Sequence, residues 1–304
     1  MKKIKVFAPA TVANVAVGFD LMGFPIEGIG DEITFEKTDR KQKVEIFEIN
    51  SEFTNDPEQN TATIGIKKLL KDTQAGFGIA VRIKKGIPVG SGLGGSAASA
   101  VAGAFGANYF LIKKLKPAQI FKYAMLGEQS ASGSAHPDNV APCLLGGFIY
   151  THTINPFEYF RFSIPSNIFV SVLHPHVKIE TRQARAILKP DLPLKTFVAQ
   201  NKNLLGFMLG LQSKNTKLLC DSVQDLVVEP QRAELIPRFR EMKKSAFQSK
   251  ALAFSISGSG PSVFAFSIGY NNAKNVLKAM ESAYSDPGCE GWISPISKKG
   301  ARFL

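Results

Sequence analysis

Between positions 90 and 95 the chain places four glycines, Gly90, Gly92, Gly94 and Gly95, and Ser96 and an alanine-rich run follow at once. Glycine tolerates backbone angles that other residues avoid, and it lets amide groups approach a neighbour with no Cβ in the way. Alternating apolar residues over 78–83 predict a strand before this bend. The alanines after Ser96 predict a helix, with Ser96 as its N-cap. Strand, glycine-rich bend and helix start together offer unpaired N–H donors and a partial positive charge, which suits phosphate. The helix dipole alone supplies roughly 0.3–2 kcal/mol, so loop amides, a metal and cationic side chains must supply the rest. The same small residues would also let the helix press against a sheet, and that reading stays open.

Known phosphate loops differ in what surrounds their glycines. A P-loop carries Lys-Ser/Thr after the bend, where this chain has Ala97 and Ala98. Gly90, Gly92 and Gly95 satisfy G-x-G-x-x-G, but the acidic residue of a dinucleotide site is missing from 110–116. The His-Arg-Asp and Asp-Phe-Gly strings of protein kinases do not occur. What remains is Pro88-Val89-Gly90-Ser91-Gly92-Leu93-Gly94-Gly95-Ser96-Ala97-Ala98. It resembles the P-x-x-x-G-L-G-S-S-A-A nucleotide loop of the galactokinase, homoserine kinase, mevalonate kinase and phosphomevalonate kinase superfamily. Gly95 stands where a serine is usual, and Ser96 keeps the second serine of the pair.

Composition narrows the classes. The chain has 304 residues, 44% hydrophobic and 20% charged, enough for one large core or two ordinary ones. Its net charge of +12 is spread over pairs such as Lys84-Lys85, Lys113-Lys114 and Lys243-Lys244. There is no basic run with interleaved aromatics, so a solvated basic surface is expected rather than nucleic-acid binding. Cys143, Cys220 and Cys289 are widely spaced, which fits a reducing compartment. Lys2, Lys3 and Lys5 precede an apolar stretch that Pro9, Thr11 and Asn14 interrupt, so the expectation is a cytoplasmic protein without a leader. No segment reaches the ~18 apolar residues of a membrane span.

Taken in order, 4–7 reads as a first strand and 8–20 as a loop in which Asn14 and Asp20 serve turns. The run Ala13-Asn14-x-x-x-Gly18-Phe19-Asp20 is similar to the A-N-L-G-x-G-F-D opening of homoserine kinases. Strands are expected at 32–35 and 44–47, and Asn60 opens a helix over 63–70. A helix is expected over 117–129, with Glu128 near its unfavourable C-terminal end. Then come Ser132-Gly133-Ser134-Ala135-His136-Pro137-Asp138-Asn139-Val140-Ala141-Pro142 and Gly146-Gly147, readable as a plain turn but again very like homoserine kinases. Pro156, Pro165 and Ser166 mark a boundary near 160–167, before a strand at 168–173, giving domains 1–162 and 163–304. Thr181 and Arg185 share one face of a short helix, and Arg232 lies in Glu229-Pro230-x-Arg232, near the start of another. Two arginines and a threonine from separate segments can bind one carboxylate, although surface salt bridges would use the same residues. Homoserine kinases carry the same T-x-x-A-R and E-P-x-R strings. Ser257-Gly258-Ser259-Gly260-Pro261-Ser262 joins strands at 251–256 and 263–267 and matches the third glycine-rich motif of the superfamily. A helix over 273–284 and a strand at 293–296 end the chain.

The resemblance spans residues 13–267. It implies an α+β fold in two domains, the first like ribosomal protein S5 domain 2 and the second ferredoxin-like. It implies transfer of the γ-phosphoryl of ATP to the hydroxyl of L-homoserine in threonine biosynthesis. By resemblance, 88–98 hold the triphosphate, Asn60 lies near base and ribose, and Ser96 and Glu128 take Mg²⁺. Asn14, Asp20, His136, Asp138, Asn139, Thr181, Arg185, Arg232 and Gly258 surround homoserine. Asp20 takes its ammonium, and Arg185 and Arg232 take its carboxylate. Asp138, Asn139 and Arg185 stand closest to the chemistry. No residue is a clear general base, and the proton is expected to pass near Asn139 or directly to phosphate. Relatives of this kind are often homodimers. A mevalonate-type kinase, or more remotely a basic nucleic-acid-binding module, are the alternatives.

Overall fold

The computed structural model describes residues 3–50, 54–133, 136–285 and 288–304. Two sheets organise the chain. The first holds β1 (Lys3–Ala13), β2 (Met22–Thr38), β3 (Val44–Ile49), β4 (Gly78–Lys84), β5 (Phe148–Thr153) and β6 (Glu158–Phe162), with β11 (Arg302–Phe303) on its edge. β2 pairs antiparallel with β1 and β4 and, through its first residues, with β5. β3 runs parallel to β4. Against this sheet lie α2 (Gly95–Asn108) and α4 (Pro137–Leu145), and α1 (Thr61–Asp72) and α3 (Pro117–Ser132) pack on α2.

The second sheet runs β10 (Cys289–Pro295), β7 (Ile168–Pro175), β9 (Val263–Ile268), β8 (Ala253–Ile256), all antiparallel. In chain order that is the 4-1-3-2 arrangement of a βαββαβ, ferredoxin-like unit. Between its first two strands come α5 (Thr181–Ala186), α6 (Leu194–Gln212), α7 (Thr216–Ser222), α8 (Glu229–Arg232) and α9 (Phe239–Gln248). α10 (Tyr270–Tyr284) follows β9. One core continues from the first sheet into the second, with Phe24 against Phe148, Phe264 and Phe266. β11 returns the last residues to the edge of β1. No helix among the described residues is long and apolar enough to cross a membrane.

The reading of α2 as a tightly packed helix holds. It is apolar on every side and buried along most of its length, as a core helix must be. A Cβ on Gly103 would strike the carbonyl of Ala62, and one on Gly106 would strike the Phe35 ring. The helix alanines and glycines therefore serve packing, which leaves the bend before them to other uses.

Several expectations need correcting. Residues 8–13 are strand, not loop, because β1 continues past a bulge between Pro9 and Thr11 and is buried on both faces. Such a strand shows no alternation to read. The N-cap of α2 is Gly94, not Ser96. Gly94 takes φ +69°, and a side chain there would collide with Thr11 and Asn139. Residues 137–145 are helix, not turn: Pro137 occupies the first helical position, where its missing N–H costs nothing. Arg232 lies, as read, near the start of a helix, in the single turn of α8 that continues as a 3-10 turn over 233–235. The predicted helices at 63–70 and 117–129 are present with longer ends.

Candidate active site

The glycine bend is held from two sides. From below, Thr11 donates its N–H to the Leu93 carbonyl (3.0 Å) and its hydroxyl to Asn139 Oδ1 (2.7 Å). From above comes the second glycine-rich loop. Ser257 Oγ donates to the Gly92 carbonyl (2.9 Å) and the Ser262 N–H to the Ser91 carbonyl (3.1 Å). A Cβ on Gly92 would sit 2.5 Å from the Ser257 carbonyl oxygen, so this glycine is required by the approach of two backbones. The first hydrogen bond inside α2 is Ala98 N–H to Gly94 O. The amides of Gly95, Ser96 and Ala97 thus have no acceptor within the helix, as at any helix start.

Lys85 leaves the end of β4 just before the bend. Its ammonium is paired with the buried Asp31 and donates to the Gly95 carbonyl (2.8 Å) and Ser99 Oγ (2.7 Å). Asp31 also accepts from Ser99 and from the amides of Gly86 and Ile87. This network fixes the strand to the start of α2.

On the neighbouring wall the backbone makes a rare turn. Asn14, Val15 and Ala16 all have positive φ (68°, 45° and 57°), and so does Asp20 at 59°. Such angles are uncommon outside glycine, and for a β-branched residue such as Val15 they are strained. Burial of Val15, Ala16 and Val17 holds the turn in place. The Asn14 side chain ties it at both ends, accepting from the Asp20 N–H (3.0 Å) and donating to the Gly258 carbonyl (2.8 Å). The turn chemistry read at Asn14 is therefore real.

That turn delivers Phe19 and Asp20 to two arginines. Arg185 Nη2 donates to both oxygens of Asp20 at 2.8 Å. Arg232 donates to the carbonyls of Ala184 (3.0 Å) and Gly258 (2.9 Å). Both guanidiniums lie over the Phe19 ring, at 5.1 and 5.3 Å from its centroid, a favourable cation–π geometry. Burial, and then the neighbouring Arg185, bring the Arg232 pKa down to about 10.

α3 and α4 supply the acidic side. Glu128 and His136, both buried, meet at 3.0 Å. Burial alone would lower the His136 pKa, but the hydrogen bond and charge of Glu128, with Asp138 and Asp20, raise it overall. Asp138 is buried in the first turn of α4, and its Oδ1 has no hydrogen-bond partner among the described residues. Burial pushes its carboxyl up to about 7 against the pull of His136, helped by Asp20 and Glu128. Asn139 presents its amide nitrogen, since its oxygen accepts from Thr11.

These groups line one cavity of about 550 Å³. Of the residues singled out from sequence, it gathers Asn14, Asp20, Pro88–Gly92, Gly94–Ser96, Glu128, His136, Asp138, Asn139, Thr181, Arg185, Arg232 and Gly258. Leu93, Ala97 and Ala98 are buried in the core behind it. Asn60 is not on the wall: it caps α1 through the Ala62 N–H and donates to the Thr54 carbonyl. Ser134 and Ala135 of the His136 string lie outside the described residues. The sequence gives no role to Lys85, Lys178 and Arg182 on the wall, nor to Thr11, Asp31 and Phe19, which hold the groups that line it; Lys85 reads there only as surface charge.

The family model described as GHMP kinases N terminal domain matches residues 60–147, and that described as GHMP kinases C terminal matches 207–286. The chain is 38% identical to a homoserine kinase of Chloroherpeton thalassium, with all of both chains covered. The chain belongs to the GHMP kinase family. Within that family its similarity is to homoserine kinases over their whole length. A homoserine kinase of Xylella fastidiosa is 37% identical, covering 99% of this chain and 94% of its own. The crystal structure of homoserine kinase from Cytophaga hutchinsonii superposes with a TM-score of 0.96 at 40% identity, covering 100% of this chain and 98% of that one. The mevalonate kinase of L. major shares the fold, with a TM-score of 0.71 at 13% identity over 97% of this chain and 96% of its own. The expected two-domain α+β kinase fold is thus the one observed.

Proposed function

We infer that this chain transfers the γ-phosphoryl group of ATP to the side-chain hydroxyl of L-homoserine, giving O-phospho-L-homoserine and ADP on the route to threonine. The observation that carries the reading is the charge layout around Phe19. One carboxylate and two guanidiniums meet there in the cavity that the glycine bend lines. A free amino acid carries the complementary pair, an ammonium for Asp20 and a carboxylate for Arg185 and Arg232. The Asp20–Arg185 pair is part-exposed, and such pairs are worth about 0–1 kcal/mol. Substrate therefore displaces it at little cost and replaces each partner with its own. Homoserine kinases of Chloroherpeton thalassium and Cytophaga hutchinsonii, alike over their full length, support the same acceptor.

The chain's own groups divide the work. The free amides of Gly95 and Ser96 face the triphosphate, and the second glycine loop keeps the bend from spreading. Asn139, held by Thr11, directs its amide nitrogen toward the reacting groups. Asp138 takes the hydroxyl proton, in place of the base-free route expected from sequence. In support stand its unpartnered oxygen and its ionisation near neutrality, which suit a general base. Phosphoryl transfer otherwise needs mainly positioning and charge neutralisation. In this scheme 1–162 carry the nucleotide side and 163–304 the two arginines of the acceptor side.

Glu128 and Ser96 would hold Mg²⁺. A carboxylate and a hydroxyl oxygen lining one cavity are the hard donors Mg²⁺ takes, alongside phosphate oxygens and water. Bound there, the ion supplies neutralisation of charge on the phosphates. Glu128→Gln is expected to move the Mg²⁺ titration of activity to higher concentration. An unchanged titration would remove Glu128 from the metal site.

The direct test is ADP release with a panel of alcohols. Homoserine should be consumed well ahead of mevalonate, whose lack of an ammonium leaves Asp20 without a role. Equal use of mevalonate, or ATP turnover indifferent to homoserine, would defeat the assignment.

A further inference from the structure

Five lysine and arginine side chains line the cavity, and the fold already uses three. Lys85 is paired with Asp31, Arg185 with Asp20, and Arg232 with two backbone carbonyls. The other two, Lys178 and Arg182, have no hydrogen bond or ion pair among the described residues. Lys178 lies in the connection from β7 to α5 and Arg182 in the first turn of α5, on the stretch that leaves the second sheet. Their positions are specific. The Lys178 Cγ lies 2.7 Å from where a Cβ on Gly90 would stand, so its stem crosses the glycine bend. The Arg182 guanidinium lies 3.2–3.6 Å from where a Cβ on Gly133 would stand, over the end of the helix that carries Glu128. The segment between them is anchored, since Ile179 is buried and its N–H faces the Gly90 carbonyl at 3.4 Å. Glu180 also lines the cavity and forms no ion pair with either cation among the described residues.

We propose that Lys178 and Arg182 form a second, cationic wall of the triphosphate site, contributed by the β7–α5 connection and the first turn of α5 rather than by the glycine bend. The inference rests on reading this cavity as a nucleotide site. Its physical basis is a shortfall: loop amides and a helix dipole give only partial charges, while a nucleotide triphosphate with its metal remains an anion. Two exposed cations at the bend and at the Glu128 helix supply full charges, and solvent access spares them a heavy desolvation cost. Lysine here serves as a point charge and arginine as a two-pronged donor to phosphate oxygens. Because both are exposed, their contribution is screened by salt.

The experiment uses the full chain and two probes, inorganic tripolyphosphate for binding and ATP for turnover. Lys178→Ala and Arg182→Ala are each expected to weaken tripolyphosphate binding and raise the KM for ATP about tenfold, the scale of one charge-assisted hydrogen bond. The KM for homoserine should stay within about twofold, and the salt dependence of tripolyphosphate binding should flatten in the double variant. Lys178→Arg should restore most of the loss. A double variant with wild-type tripolyphosphate affinity and ATP KM overturns the proposal. So does a parallel loss for ATP and homoserine with a lowered melting temperature, which would make both residues structural. A wild-type chain that binds neither tripolyphosphate nor ATP overturns the nucleotide reading itself, a result distinct from variants that bind as the wild type does.

Discussion

Arg232→Leu is expected to lower kcat/KM for homoserine by about 30-fold to a few thousandfold, the 2–5 kcal/mol that follows when a buried charge loses its partner. The KM for ATP should move less than about twofold. The argument starts from burial. Arg232 is 3% exposed, and its pKa is drawn down by that burial and by Arg185. A second guanidinium beside it is unfavourable until an anion arrives, so a carboxylate entering between them relieves repulsion as well as forming bonds. Leucine keeps an apolar stem at this position and removes the charge and the guanidinium over Phe19. It also frees the Ala184 carbonyl and leaves the Gly258 carbonyl with Asn14 alone, so a structural contribution must be separated. Arg232→Lys does that: it keeps the charge, loses the fork, and should fall between the two. Equal losses for homoserine and ATP would mean that Arg232 only holds α5 to the second glycine loop.

The residues of this site were legible in sequence because they sit in short strings whose spacing is local. Gly90–Ser96, Asn14–Asp20, His136–Asn139 and Thr181–Arg185 each read as a unit, and each unit lines the cavity. What escaped was whatever depends on pairing across the chain. Lys85 is committed to Asp31, 54 positions away, and nothing near either residue announces it. Thr11 looked like loop because a strand buried on both faces has no alternation to read. The glycine roles divided in the same way. That the bend needed glycine was visible, but the partner that demands it at Gly92 is a carbonyl from Ser257, 165 positions later. Asn60 reads two ways in sequence, as a helix cap and, by resemblance, as a neighbour of base and ribose; its side chain makes the cap, bonded to the Ala62 N–H and the Thr54 carbonyl.

Asp138→Asn is expected to lower kcat/KM for homoserine by about 100-fold or more, the range of a positioned general base, and to abolish a pH dependence that the wild type shows. The sign follows from ionisation. Only the carboxylate can take the hydroxyl proton, and burial holds that carboxyl near 7. Wild-type kcat/KM should therefore rise with pH through about 7 and level off above it. His136, Glu128 and Asp20 all face this group. Protonated His136 pulls the midpoint down, and the two carboxylates push it up. Stability moves the other way. A carboxyl whose folded pKa lies above its unfolded value binds its proton more tightly when folded. Its contribution is complete below about 4 and is lost as pH rises through about 7. Asparagine cannot ionise, so the melting temperature of the variant should gain on the wild type across that window. The two readouts divide the outcomes. A variant that gains relative stability toward pH 8 but keeps the wild-type rate profile would leave Asp138 buried and bystanding, and the hydroxyl proton would then go straight to phosphate. A flat rate profile in the variant, with the same stability crossover, places the proton on Asp138.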